Sequence, residues 1–222
     1  MITEERKARL AAAMNRLGAH HEIQNEMGRI AAAINFHQVD KVLERFALER
    51  DDVWLEFADE GVFRGAEAVR AILNELVGTP YARGELTDIE LTTPIIVVAE
   101  DQDSARALWW VPGIGTIAPD GAEPRAIWTF GQIAADFVRA DGAWKVLHFH
   151  YFRTVKSSYE EGWVKDTSMV NRPNTAMHPL SSPSSYHSPY TPLSVRDGIP
   201  AAPRPYASYD GAAWMLETDK SR

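Results

Sequence analysis

Tyr151 and Arg153 stand two residues apart in the run Leu147-His-Phe-His-Tyr-Phe-Arg153. Alternate residues of a strand share a face, so Leu147, Phe149, Tyr151 and Arg153 form one set. Val146, His148, His150 and Phe152 form the other. A bulge would exchange the two sets. A tyrosine hydroxyl can donate a hydrogen bond to a developing oxyanion or phenolate. An arginine can hold an anionic oxygen through a charge-assisted bond. The same two residues could instead pack in an aromatic layer and pair with a surface acid.

Other residues could move protons. His148 titrates near neutrality when unperturbed, which suits acid or base work. With His150 it has spacing that could bind a metal, but no third ligand lies nearby, so no metal site is expected. Asp136 sits inside an otherwise apolar strand, where burial would raise its pKa. Glu90 and Glu26 are further acids on elements that could line a cavity. Asn35 could bind a substrate hydroxyl or merely end a helix. Arg106, Leu108 and Trp110 alternate along one strand pattern, and Trp128 and Phe130 along the next. With Phe57, Tyr81 and Phe149 they could line a hollow for a flat aromatic ligand, or simply fill a core. No nucleophile-elbow, Walker or dinucleotide fingerprint is present.

The elements that would position these residues follow from periodicity. Thr3 to Leu17 reads as a polar helix capped by Thr3. Glu22 to Asn35 reads as an amphipathic helix, with Ile23, Met27, Ile30 and Ile34 on one stripe. Val39 to Leu48 and Ala66 to Val77 are two more helices, with a strand at Val53 to Phe57 between them. Strand patterns follow at Leu86 to Glu100, Ser104 to Val111, Ala126 to Arg139 and Trp144 to Val155. Asp101-Gln-Asp103 and Asp141-Gly142 separate two of the pairs as hairpin turns. Pro112 to Arg125 is expected to be a rim loop. This order gives an α+β class: a cone-shaped barrel with a curved mixed sheet around N-terminal helices.

Composition limits the rest. The 222 residues carry a formal net charge of -8 and no cysteine. The acidity argues against nucleic acid or anionic lipid as a partner. The missing cysteines exclude disulfides, thiolate metal sites and a cysteine nucleophile. With no signal peptide or spanning segment evident, the expected location is the cytoplasm. Eight of the thirteen prolines lie beyond Lys165, so the last part is not a second compact domain. The expected organisation is an N-terminal helix (1–18), a barrel domain (19–165) and an irregular C-terminal extension (166–222). Tyr186, Tyr190, Tyr206, Tyr209, Trp214, Met215 and Leu216 give that extension apolar handles for wrapping the barrel or a neighbouring subunit.

Three stretches carry a resemblance: Glu22-Ile-Gln-Asn-Glu-Met-Gly-Arg-Ile-Ala-Ala-Ala-Ile-Asn35, Phe63-Arg-Gly-Ala-Glu-Ala-Val-Arg70 and Asp136-Phe-Val-Arg-Ala-Asp-Gly-Ala-Trp-Lys-Val146. In this order they resemble SnoaL-like proteins of the nuclear transport factor 2-like superfamily over residues 19–165. The resemblance implies a lyase that uses no cofactor or metal and moves protons with side chains in a conical cavity. It implies that Phe149, Tyr151 and Arg153 face that cavity, and that the sheet packs in a dimer or trimer. The Tyr and Asp that bile-acid dehydratases carry are matched here by Ile30 and Asn35, and their His falls in Ile89 to Thr92, where this sequence has none, so that mechanism does not transfer whole. The substrate expected is a hydroxylated aromatic compound, with a lignin-derived diarylpropane diol as the specific suggestion. Tyr151, Arg153, Asp136, His148 and Glu90 are the expected catalytic residues. Asn35, Phe57, Tyr81, Arg106, Trp110, Trp128, Phe130 and Phe149 are the expected binding residues. The alternatives are a dehydratase or isomerase of a polycyclic alcohol, or a non-catalytic binding or assembly module.

Overall fold

The computed structural model describes residues 2–57, 59–117, 123–166 and 178–218. The chain opens with one helix, α1 (Glu4–Asn35), rather than the two expected. Thr3 caps it by accepting a hydrogen bond from the Arg6 amide. Gly18 does not break it, because the flanking alanines, leucines and charged residues are good helix formers. Only its second half is buried, through Ala19, Ile23, Met27, Ile30 and Ala33. The helices α2 (Val39–Leu43) and α3 (Gly65–Val77) pack beside it. On α3, Val69, Ile72 and Leu73 point inward at helical spacing.

The strands are β1 (Trp54–Phe57), β2 (Gly61–Arg64), β3 (Leu86–Ile89), β4 (Ile95–Val98), β5 (Ser104–Ile117), β6 (Arg125–Ala140), β7 (Ala143–Ser158) and β8 (Ser181–Ser182). They form one mixed sheet in the order β3-β5-β6-β7-β1-β2-β8, with β4 also paired to β5. All described strand pairs are antiparallel except β1 with β7. The stretch expected as one strand over Leu86 to Glu100 is therefore two short strands, divided near Pro94, which cannot donate to a ladder. In the other direction, β5 runs on to Ile117 through half of the expected rim loop. The Asp141-Gly142 turn carries positive φ at both residues, as a two-residue hairpin needs.

Two bulges shape β7. Gly131 pairs with Arg153 but Phe130 pairs with Val155, which leaves Thr154 as an extra residue. Asp136 pairs with His148 but Phe137 pairs with Val146, which leaves Leu147 extra. Such bulges bend a strand and change which side chains face each way. The inner face of the curled sheet meets α1 and α3 in the main core, which includes Trp109, Phe137, Val146 and Phe149.

The described part of the C-terminal extension wraps the barrel's own sheet. It adds β8 beside β2, and the Tyr190 amide then donates to the Thr154 carbonyl. It ends in a short 3-10 helix (Ala213–Leu216). Trp214 and Met215 from that turn pack with Leu108, Ala134 and Phe152 on the outer face of the sheet. The sheet surface expected to be open to a neighbouring subunit is thus covered, over this region, by the chain itself. Among the described residues no helix is long and apolar enough to cross a membrane.

Candidate functional site

A hollow of ≈ 300 Å³ lies inside the cone. Its walls are mostly apolar: Met27, Ile30 and Ile34 of α1, Leu73 and Val77 of α3, and Phe57, Val111, Ile127, Ile133 and Phe149 of the sheet. The polar groups on the lining are few. Among the described residues they are Tyr151, Arg153 and Lys156 of β7, Thr129 of β6, and Thr87 and Thr116. An apolar hollow with a few placed polar groups is the usual form of a small-molecule site. The Thr154 bulge lets β7 supply both Arg153 and Lys156, three positions apart, to the same side.

Tyr151 is buried, and its hydroxyl shares a hydrogen bond of 3.1 Å with the Thr129 hydroxyl. The Arg153 guanidinium lies 5.1 Å from the Tyr151 ring centre and forms an ion pair with Asp59. Burial alone would raise the Asp59 carboxyl, but Arg153 and then Lys156 more than reverse that and hold it below the ordinary range. Burial likewise works against the Arg153 charge, and Asp59 and Tyr151 more than restore it. The cavity wall therefore presents a fixed cation beside a phenolic hydroxyl, an arrangement that favours an anionic oxygen.

Gly131 makes room for this wall. A Cβ there would press far inside van der Waals contact of the Phe152 carbonyl and the Tyr151 ring, and 3.0 Å from the Arg153 Cα. Gly131→Ala is therefore expected to destabilise the fold by about 1–3 kcal/mol and to weaken ligand binding by displacing Tyr151. Urea unfolding together with a ligand titration would measure both.

The other expected site residues fall elsewhere. Asp136 and His148 do meet, with His148 Nδ1 2.8 Å from Asp136 Oδ2, but on the outer face of the sheet. The same parity places Arg106, Trp110, Trp128 and Phe130 outside, while Trp109, Val111, Ile127 and Thr129 face in. Arg106 pairs with Asp210 and stacks on Tyr206, both in the C-terminal extension. Trp110 is half exposed beneath the Arg196 guanidinium. Trp128 and Phe130 stack on each other. Glu90 is exposed, and Glu26 is held by Arg29 and Arg45. Asn35 does not line the hollow. Its side chain donates to the Ile89 carbonyl and accepts from the Ile89 amide, which fastens α1 to β3. Tyr81 reinforces that junction, with its hydroxyl 3.0 Å from both the Asn35 and Thr87 carbonyls and accepting from the Thr87 amide. Of the thirteen expected residues, Phe57, Phe149, Tyr151 and Arg153 line the hollow.

The outer-face group forms a buried polar layer under the extension. Asp136 accepts a second bond from the Trp214 indole, at 2.7 Å. His148 Nε2 lies 3.0 Å from the Asp52 carbonyl, so both ring nitrogens face acceptors. One proton must then sit between His148 and Asp136. Burial raises the Asp136 carboxyl, and the bonds from His148 and Trp214 only partly offset this. Burial also raises Glu56, which accepts from the Ser185 amide and hydroxyl. His150, stacked on Phe152, is pushed by burial down to about 3. Glu56 lies 3.4 Å from its Nε2, too long for a good hydrogen bond, so the downward direction stands.

His150 should make the fold acid-labile. The unfolded side chain gains a proton below about 6.5, and the buried one only near about 3. Stability is thus lost as pH falls from 6.5 toward 3, by at most about 5 kcal/mol from this group. Asp136 and Glu56, whose carboxyls are raised, work in the opposite sense. In His150→Gln the loss between pH 6.5 and 4 should shrink, as read by urea unfolding across that range.

A family model described as a SnoaL-like domain matches residues 15–150. The chain belongs to the SnoaL-like domain family. Solved structures of the same fold include a protein from Novosphingobium aromaticivorans provisionally named a scytalone dehydratase (20% identity, TM-score 0.55, covering 66% of this chain and 91% of that one). Another is the hexachlorocyclohexane dehydrochlorinase LinA-type3 from Novosphingobium barchaimii (16% identity, TM-score 0.54, covering 66% and 93%). A third is a variant of a Mycobacterium tuberculosis protein of unknown function (19% identity, TM-score 0.52, covering 78% and 97%). No curated protein matches the sequence. At these identities the structures share the fold with this SnoaL-like chain, and the chemistry has to come from the site itself.

Proposed function

We propose that this SnoaL-like protein is a lyase that removes a hydroxyl group from a hydroxylated aromatic substrate, using side chains and no cofactor. The observation that supports the reading is the apolar hollow with Tyr151 and Arg153 on one wall. Its volume of ≈ 300 Å³ suits a ligand of one or two aromatic rings. Neighbouring inward positions on a strand lie about 6.6 Å apart. That is close to the span between the oxygens of a para-hydroxybenzyl alcohol.

In the proposed reaction Arg153 holds the substrate's phenolic oxygen as it becomes an anion. The electron pair from the broken phenolic O–H bond moves through the ring and expels the benzylic hydroxyl. The phenol's proton passes to solvent as the oxygen binds, and Tyr151 then gives the departing hydroxyl its proton so that it leaves as water. The product is a quinone methide. In a diarylpropane diol the terminal alcohol can then lose its proton to the Tyr151 phenolate, which restores the tyrosine, while the adjacent carbon-carbon bond breaks. Those electrons restore the phenolate, and the products are a stilbene, water and formaldehyde. The substrate thus acts as its own electron sink. The charged groups on the cavity lining, Arg153 and Lys156, are basic and suit stabilisation of this anion.

The same lining favours a second reading. Among the described residues, neither a histidine nor a carboxylate lines the hollow. A binding module that holds an aromatic anion without turning it over would need no such group. An isomerase of a polycyclic alcohol would need a base, and fits less well. Against a plain assembly role, the hollow is open: Trp110 is outside it and Phe149 forms only part of its wall.

Incubation of the purified protein with phenolic diarylpropanediols separates these readings. Stilbene absorbance with equimolar formaldehyde supports the lyase. Saturable binding without product supports the binding module. Tyr151→Phe should lower turnover about 100-fold or more, with binding little changed, because it removes the proton donor and keeps the ring.

A further inference from the structure

The first half of α1 stands clear of the barrel. Every residue from 4 to 18 is exposed except the half-buried Ala12. Fifteen residues of helix project about 22 Å. A helix of that length is marginal alone in water. This one carries Leu10, Met14 and Leu17, which are 59%, 65% and 61% exposed. Their spacing of four and three makes one stripe. At about 100° per residue, that stripe lies about 165° around the axis from the core-facing Ala19, Ile23, Met27, Ile30 and Ala33. The helix therefore has two apolar faces in succession, one directed into the barrel and one directed away from it.

Leu17 also lines a shallow groove of ≈ 830 Å³ on the barrel's flank. The groove runs between Arg16, His20 and His21 of α1 and Ile96, Val98, Pro205 and Tyr206, with Glu100 on its rim. A helix-to-helix contact of about 22 Å alone falls short of the roughly 800 Å² per partner of a standard interface. Leu17 joins the stripe to this groove, whose apolar lining comes from Ile96, Val97, Val98, Pro205 and Tyr206.

We infer that this surface pairs two copies of the chain, with the projecting halves of α1 antiparallel and each laid toward the other copy's groove. An antiparallel pair sets Leu10 of one helix against Leu17 of the other, with Met14 near the twofold axis. Arg6 and Lys7 of one copy then run beside the acidic rim at Glu100 of the other. Opposed helix dipoles favour the same sense. The occupant is self-complementary because both halves of the interface, stripe and groove, are on one chain. This differs from packing through the sheet, whose outer face is covered in part by Trp214 and Met215.

Sedimentation velocity on the full chain tests the pairing, and engineered cysteines test its direction. The sequence contains no native cysteine. The unaltered chain should be a dimer at micromolar concentration. Leu10→Glu with Met14→Glu should raise the dissociation constant about 100-fold or more while the barrel's thermal unfolding stays unchanged. A mixture of Leu10→Cys and Leu17→Cys chains should oxidise to a covalent dimer faster than either alone. A monomeric unaltered chain would overturn the inference and leave the stripe to a different partner. So would a dimer indifferent to the two glutamates, or faster cross-linking of Leu10→Cys with itself, which would mean a parallel pair.

Discussion

Arg153→Met should abolish binding of a phenolic ligand and unfold the protein more easily. Both effects follow from one ion pair. The Arg153 side chain is only 14% exposed and the Asp59 side chain 0%, so the pair lies almost wholly out of water. Removing one member of a buried pair leaves the other charge without that compensation, at a cost of about 3–5 kcal/mol. Arg153→Met/Asp59→Asn should recover much of that stability, since the stranded charge is gone. It should not recover binding, since the cation that faces the hollow is still missing. Urea unfolding of the three proteins, with a titration of each by a phenolic stilbene, checks the separation. Recovery of binding in the double variant would mean that Arg153 serves only to hold Asp59.

Asp136→Leu should be as damaging to stability and nearly silent in chemistry. Asp136 is 2% exposed and accepts from both His148 and the Trp214 indole. The substitution leaves two buried groups short of a partner, each costing about 1–3 kcal/mol. The Trp214 turn should loosen from the sheet, with a change in tryptophan emission and faster proteolysis of the C-terminal extension. Turnover or binding per folded molecule should hold, because Asp136 is on the face away from the hollow. The contrast with Tyr151→Phe is the useful one. A strong loss of activity in Asp136→Leu at unchanged stability would place the chemistry on the outer face.

The difference between Asp136 and Tyr151 also shows where the sequence is informative. Element order was legible, because the stripe Ile23, Met27, Ile30 and the stripe of α3 are helical in period. The turns at Asp101 to Asp103 and Asp141-Gly142 were legible from turn chemistry. The face of each long strand was not. A sheet packed on one side shows apolar residues in and polar residues out. Here the outer face of β5, β6 and β7 is also apolar in part, where Trp214, Met215, Tyr186 and Ile199 cover it, beside the buried Arg106, Gln132, Asp136 and His148. Leu108, Ala134 and Phe152 outside are as apolar as Trp109, Ile133 and Phe149 inside. Alternation then carries no direction, and Trp110, Trp128 and Phe130 read as easily inward as outward. Tyr151 and Arg153 were placed by family resemblance.

Thr129 and Lys156 of the polar wall, and Asp59 behind Arg153, were missed for definite reasons. Thr129 sits between two large aromatics that drew attention to the wrong parity. Lys156 shares a side with Arg153 only because of the Thr154 bulge, which nothing in the local composition signals. Asp59 lies just after β1, far from Arg153 in sequence, and its role exists only through the parallel pairing of β1 with β7. The extension's place on the barrel was legible in outline from its tyrosines and Trp214. That it would meet a buried His148–Asp136 pair was not, since each residue alone looked like a candidate for catalysis.

Difference absorbance of a bound phenolic stilbene reads the central claim directly. At a pH where the free ligand is the neutral phenol, the complex should show the red-shifted phenolate band. Arg153→Met should return it to the neutral form or abolish binding. A complex with the neutral phenol's spectrum, unchanged in Arg153→Met, would contradict the proposal that Arg153 holds an anionic oxygen inside the cone.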